Sequence, residues 1–133
     1  MSKIKIVISI AIASLILGVF PSVAVKAENK KIFENFAYYY YKEGRIDESI
    51  KEYKKILKKT PQNHKIHYNL GVLYAQQEKY SLAVKEFKRA ADVDSPVRKD
   101  ALYNLVIIYG KYLMNTDQAY KYYEKFKEIQ YNK

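Results

Sequence analysis

Few side chains in this sequence could act on a substrate, and those that could are imidazoles, phenols and amines. His64 and His67 stand three apart, so on a helix both rings share a face and could hold a metal through two ligands. A third ligand at suitable spacing is not evident, and no metal site is predicted. There is no Cys, which excludes a disulfide framework, a thiolate nucleophile and a Cys-based zinc site. The four glycines, at 18, 44, 71 and 110, are isolated, so no Gly-rich loop cradles a phosphate. No spaced carboxylate pair stands in a recognisable setting either, and hydrolytic or nucleophilic catalysis has no visible machinery. The expectation is a non-enzyme with no catalytic residues and no cofactor.

Phenols and amines suit binding better than catalysis. Tyr accounts for 15 of the 133 residues and includes the run Tyr38-Tyr39-Tyr40-Tyr41. Four consecutive residues on a helix point in four directions, so at most two of these rings enter a core and the others are rigid, amphipathic surface. Basic residues cluster at Lys51, Lys54, Lys55, Lys58 and Lys59, and again at Lys85, Lys88 and Arg89. A solvated outer face is the plain reading of these clusters, and attachment to a polyanion is the sharper one.

The elements that must carry these groups are short amphipathic helices. Phe33, Phe36, Ala37 and Tyr40 recur at three and four, one apolar stripe on a helix from about Lys30 to Lys42, which Gly44 ends. A partner helix starts near Asp47 with a stripe of Ile46, Ile50, Tyr53, Ile56 and Leu57, and finishes with Lys58, Lys59 and Pro61. A second pair is predicted from about His64 to Gln77 and Ser81 to Val93, turning at Glu78-Lys79, and a third pair after Pro96. None of these helices could bury its face alone.

The N-terminus belongs to another physical regime. Lys3 and Lys5 precede an uncharged run from Ile6 to Val25 with small residues at Ala24 and Ala27, the order of a secretory signal peptide. Cleavage is expected before Glu28, after Val25-Lys26-Ala27, or else after Ser22-Val23-Ala24. An uncleaved anchor is the competing reading, because spanning a bilayer takes about 20 apolar residues; Pro21 and the small residues beyond it favour cleavage. Residues 1–27 are therefore read as a signal peptide or membrane anchor, and the rest as exported, secreted or held at the cell envelope. The net charge of +10 includes Lys3, Lys5 and Lys26 and falls to +7 without that segment. A surface this basic favours acidic partners.

Within His64 to Pro96, the run His67, Leu70, Gly71, Tyr74, Ala83, Phe87, Ala90 and Pro96 has the spacing of a tetratricopeptide repeat, with only the first aromatic replaced, by His67. Moving back by 34 gives Phe33, Phe36, Ala37, Tyr40, Ser49, Tyr53 and Ile56, and by 35 gives Pro61. Moving forward by 35 gives Leu102, Leu105, Val106 and Tyr109, and by 36 gives Ala119, Tyr123 and Phe126. The chain thus resembles the tetratricopeptide repeat family, as three copies at 30–63, 64–98 and a degenerate 99–133. The resemblance implies an all-α fold of helix-turn-helix repeats stacked as a short right-handed superhelix. Its core would contain Phe33, Phe36, Tyr40, Tyr53, Leu70, Gly71, Tyr74, Ala83, Phe87, Ala90, Leu105, Tyr109, Ala119 and Tyr123, and His67 would be a packed, partly buried ring. One inserted residue falls around Lys111 to Asn115. No polar capping helix is expected after Phe126, so Tyr122, Phe126 and Ile129 are expected partly exposed, favouring self-association or a docked partner.

The resemblance also implies a concave groove on the first helices. It would carry Lys31, Glu34, Tyr38, Tyr41 and Lys42 in copy one, Lys65, Tyr68, Asn69, Val72 and Gln76 in copy two, and Asp100, Tyr103, Asn104, Ile107 and Lys111 in copy three. Asn35, Asn69 and Asn104 hold one place in all three copies, where family members can hydrogen-bond the backbone of an extended peptide; Asn69 is the best placed. The basic residues that grip a terminal carboxylate in chaperone-binding members are not reproduced, since Glu34 and Asp100 replace two of their Lys. The expected function is a protein-binding scaffold that holds an acidic peptide or helix in the groove. The alternative is an electrostatic binder of anionic membrane lipid or envelope polymer through the convex Lys face; nucleic acid is not expected of an exported protein. Fold alone does not name the partner in this family.

Overall fold

The computed structural model describes residues 36–92 and 95–131, and within them every regular element is helical. We label these α1 (36–42), α2 (Ile46–Lys59), α3 (His64–Gln76), α4 (Tyr80–Ala90), α5 (Arg98–Ile107) and α6 (Thr116–Tyr131); a π-helical turn, Ile108–Tyr112, extends α5. From α2 onward each helix packs on the next, most extensively α3 on α4. The segment 1–27 and Phe33 lie outside the described residues.

Local sequence explains the boundaries. Asp47 and Glu48 open α2 and Lys58 and Lys59 close it, each charge matched to its end of the helix dipole. Pro61 disfavours helical backbone at Thr60. Asn63 restarts the chain as the cap of α3, its side chain accepting from Ile66 N–H at 3.2 Å. Asn115 does the same for α6, accepting from Gln118 N–H at 3.0 Å.

The turns inside the three helix pairs share one device. Each passes through a left-handed residue: Gly44 at φ 71°, Glu78 at φ 58° and Met114 at φ 51°. In the first two, the residue after the turn donates back to a tyrosine carbonyl, Arg45 to Tyr40 and Lys79 to Tyr74, both at 2.9 Å. In the third, Asn115 donates to Tyr109 at 2.8 Å, one residue further along. The inserted residue sits between them and is taken up by the π-turn, where Leu113 N–H reaches Ile108 O at 2.9 Å.

The core runs through all the pairs. Ile50, Tyr53 and Ile56 of α2, Ile66, Leu70, Leu73 and Tyr74 of α3, Val84 and Phe87 of α4, and Leu102, Leu105, Ile108 and Tyr109 of α5 and its extension are buried. Phe87 is wholly buried and lies over Gly71: a Cβ there would stand 2.7 Å from its ring carbons. Only glycine lets that ring approach the backbone. Ala83 and Ala90 are likewise buried, as expected; Ile46, Leu57 and Ala119 pack on the core half-buried.

Four expectations need correction. Phe36 is 48 % exposed, because the buried face of α1 is centred on Ala37, whose carbonyl accepts from the buried Ser49 Oγ at 2.7 Å, and Phe36 lies about 100° around from it. Tyr40 is only half-buried, its outer face covered by the Arg45 guanidinium at 4.6 Å. Tyr123 is exposed and Tyr122 buried, the reverse of the expected pair. Val106 stands where copy two has Gly71 and leaves no slot for a ring over the backbone. The ring contact passes instead to Tyr122, stacked on Tyr109 at 5.6 Å and 4°. Phe126 and Ile129 are half-buried.

Candidate functional site

His67 anchors the middle of the array. Its ring is buried, with Nδ1 2.6 Å from Glu86 Oε2 and Nε2 2.8 Å from the Pro61 carbonyl oxygen. Both neighbours are acceptors, a carboxylate on one side of the ring and a backbone carbonyl on the other. That pair of bonds ties α3 to α4 and to the loop before α3, and leaves His67 no nitrogen for a metal. His64 Nδ1 lies 3.0 Å from the Arg89 carbonyl oxygen. Among the described residues no three His, Cys, Asp or Glu cluster as a metal set would.

The Thr60–Asn63 loop held by His67 forms one wall of an open cleft of about 830 Å³ between α1, α2 and the start of α3. Tyr38, Lys65 and Asn69, three of the predicted groove residues, line it together. Asn69 Nδ2 donates to the Tyr53 hydroxyl at 3.2 Å, so the amide is oriented from the core and its carbonyl oxygen remains an acceptor. Lys65 is exposed, and among the described residues no carboxylate lines the cleft. Next to it, the Tyr38 ring lies 6.2 Å from Tyr41, with Lys42 Nζ 6.0 Å from the Tyr38 ring. One end of the array thus presents a phenol face, an amide and two ammonium groups, suited to hydrogen bonding and charge pairing with an extended acidic chain.

Of the remaining predicted groove residues, Lys31, Glu34 and Asn35 lie outside the described residues, and those described do not line this cleft. Tyr68 is half-buried and meets the Phe87 ring edge-on at 5.6 Å, so it is tied to the core. Tyr103 is exposed, 5.9 Å from Phe126. Asn104 Nδ2 donates at 2.8 Å to the Asp100 carbonyl of its own helix. Lys111 is exposed, 5.2 Å from the Tyr112 ring. Sequence reasoning missed the Tyr53 hydroxyl and the Thr60–Asn63 wall: Tyr53 reads only as core, and nothing in a linear pattern shows that its oxygen reaches the surface.

Two repeat models match the chain, one described as TPR repeat over residues 37–78 and one as tetratricopeptide repeat over residues 64–96. The chain is a tetratricopeptide repeat protein. No curated protein matches it. Tetratricopeptide repeats generally mediate protein–protein interaction as non-enzymatic scaffolds. All of the cleft's lining except Pro96 falls within the first match, and the helix pair α5/α6 lies beyond both matches. Among the described residues no helix of this tetratricopeptide repeat protein is long and apolar enough to cross a membrane.

Proposed function

We propose that this protein is an exported, non-enzymatic scaffold that holds an acidic peptide or helix in the cleft between its first and second repeats. The observation that carries the reading is the grouping of Tyr38, Lys65 and the oriented amide of Asn69 around a cleft that no carboxylate lines among the described residues. Tyr38 and Tyr41 supply rigid contact area, Asn69 a backbone contact, and Lys65 and Lys42 the charge preference. Export is supported by Lys3 and Lys5 before the uncharged run Ile6–Val25; N-terminal sequencing of the protein recovered from cells should begin at Glu28 or near it.

Capture from an envelope extract tests the binding. The parent chain is compared with the triple variant Tyr38→Ala, Lys65→Ala, Asn69→Ala at low and at high salt. A partner retained at high salt by the parent and lost by the variant supports the cleft. Recovery at low salt only, equal for both, favours the second reading, attachment to anionic lipid or envelope polymer through the outward Lys of α2. Lys51, Lys54, Lys55, Lys58 and Lys59 are all exposed, and contacts of that kind are screened by salt.

A further inference from the structure

A second cleft, of about 670 Å³, opens where the end of α4 faces the start of α5 and the middle of α6. Among the described residues four cationic side chains line it, Lys88, Arg89, Arg98 and Lys125, against one carboxylate, Asp92. The nearby Glu86 is committed to His67 at 2.6 Å. Two of the ammonium groups are held against the same ring: Lys88 Nζ lies 6.0 Å and Lys125 Nζ 5.7 Å from the Tyr122 centroid. Lys88 also lies 5.6 Å from the stacked Tyr109 ring, whose hydroxyl, by hydrogen bonding, holds the ammonium above its usual pKa. Ring faces attract cations, but gathering four positive groups in one cleft is unfavourable unless negative charge enters it. Arg98 lines the cleft half-buried, with its Nε enclosed, so the accessible part of its guanidinium is what a ligand in the cleft would meet.

We infer that this cleft is a binding site for a phosphate group, with Arg98, Lys88 and Lys125 as its ligands and Arg89 at its rim. A guanidinium fork matches two phosphate oxygens, and the remaining oxygens and second charge suit the ammonium groups. A single carboxylate offers two oxygens and one charge and leaves most of the cations uncompensated. The site shares the Pro61–Gln62 wall with the Tyr38 cleft but takes none of its proposed ligands from it. Its ligand is either a free phosphate-bearing solute or a phospholipid headgroup, which share this chemistry.

Calorimetric titration of the full chain with pyrophosphate tests the inference. One saturable site is expected, with acetate failing to compete. Lys125→Gln and Arg98→Gln should each weaken it about tenfold, the scale of a charge-assisted contact. Lys51→Gln, on the outward face of α2, should change it less than about twofold. Lys125 is exposed, so its variant keeps the test valid if Arg98→Gln melts early. Absence of saturation, or an equal loss in Lys51→Gln and Lys125→Gln, would overturn the site and leave only diffuse attraction to a basic surface. Vesicles of phosphatidylglycerol separate the two sources, read as the difference between parent and variants because Ile6–Val25 favours any bilayer. A difference that pyrophosphate abolishes identifies the headgroup; equal vesicle binding with pyrophosphate binding lost identifies the solute.

Discussion

In the pair α3/α4 the Phe87 ring closes onto backbone at Gly71, whereas in α5/α6 the corresponding Val106 blocks that approach and the Tyr122 ring stacks on Tyr109 instead. Both pairs bury an aromatic, but they place it differently. The first depends on a missing side chain, and a Cβ added there would stand 2.7 Å from a ring that is itself enclosed. The second depends on two rings in parallel, with the Lys88 ammonium against both and that of Lys125 against Tyr122. A repeat can therefore lose its closest contact and keep its helix pair, provided another aromatic on the facing helix takes over. That change of ring also creates the basic cleft, because Tyr122 is the surface against which Lys88 and Lys125 are held.

Truncating one aromatic of each pair should give the largest contrast. Phe87→Ala should cost about 3–5 kcal/mol, the range for emptying an enclosed aromatic site, while Phe126→Ala, half-buried, should cost about 1–2 kcal/mol. Urea unfolding of each variant measures both, and equal losses would mean that the third pair is as tightly closed as the second. Smaller changes at the facing positions should sharpen the same point. Gly71→Ala should destabilise by about 1–3 kcal/mol through overpacking against Phe87, even after a helix-propensity gain of about 1 kcal/mol. Val106→Ala, where no ring sits over the backbone, should cost about 1 kcal/mol. The turns should show the smallest differences. Glu78→Gly and Met114→Gly relieve a left-handed backbone at the cost of a freer unfolded chain and should each stabilise by about 0.5 kcal/mol; Gly44→Ala should destabilise by about 1 kcal/mol. Thermal melts of the three variants would check the signs.

The second repeat was the most legible part of the sequence. Its Leu70-Gly71, Tyr74, Ala83, Phe87 and Ala90 carry size information as well as periodicity, and the structure uses each where the spacing places it. The first repeat was legible to within one residue: Phe36 and Ala37 sit side by side in the apolar stripe, and only the hydrogen bond from Ser49 to the Ala37 carbonyl shows which faces inward. In the third, the insertion after Tyr109 could be located but not its resolution, since a π-turn and a longer loop satisfy the same count. Tyr122 and Tyr123 are adjacent and chemically identical, so only the stacking of Tyr122 on Tyr109 shows which of them enters the core. The candidate cleft was half legible. Tyr38, Lys65 and Asn69 were expected on one face, but their grouping depends on the Tyr53 hydroxyl and on a loop pinned by His67, both of them tertiary facts.

The central functional claim is that the cleft beside Tyr38 receives a protein segment. A photo-crosslinking residue placed at Tyr38, compared with one at the outward Lys51, tests it in intact cells. The account predicts a discrete protein adduct from position 38 that position 51 does not give. No adduct at position 38, or the same set of adducts from both positions, would contradict it.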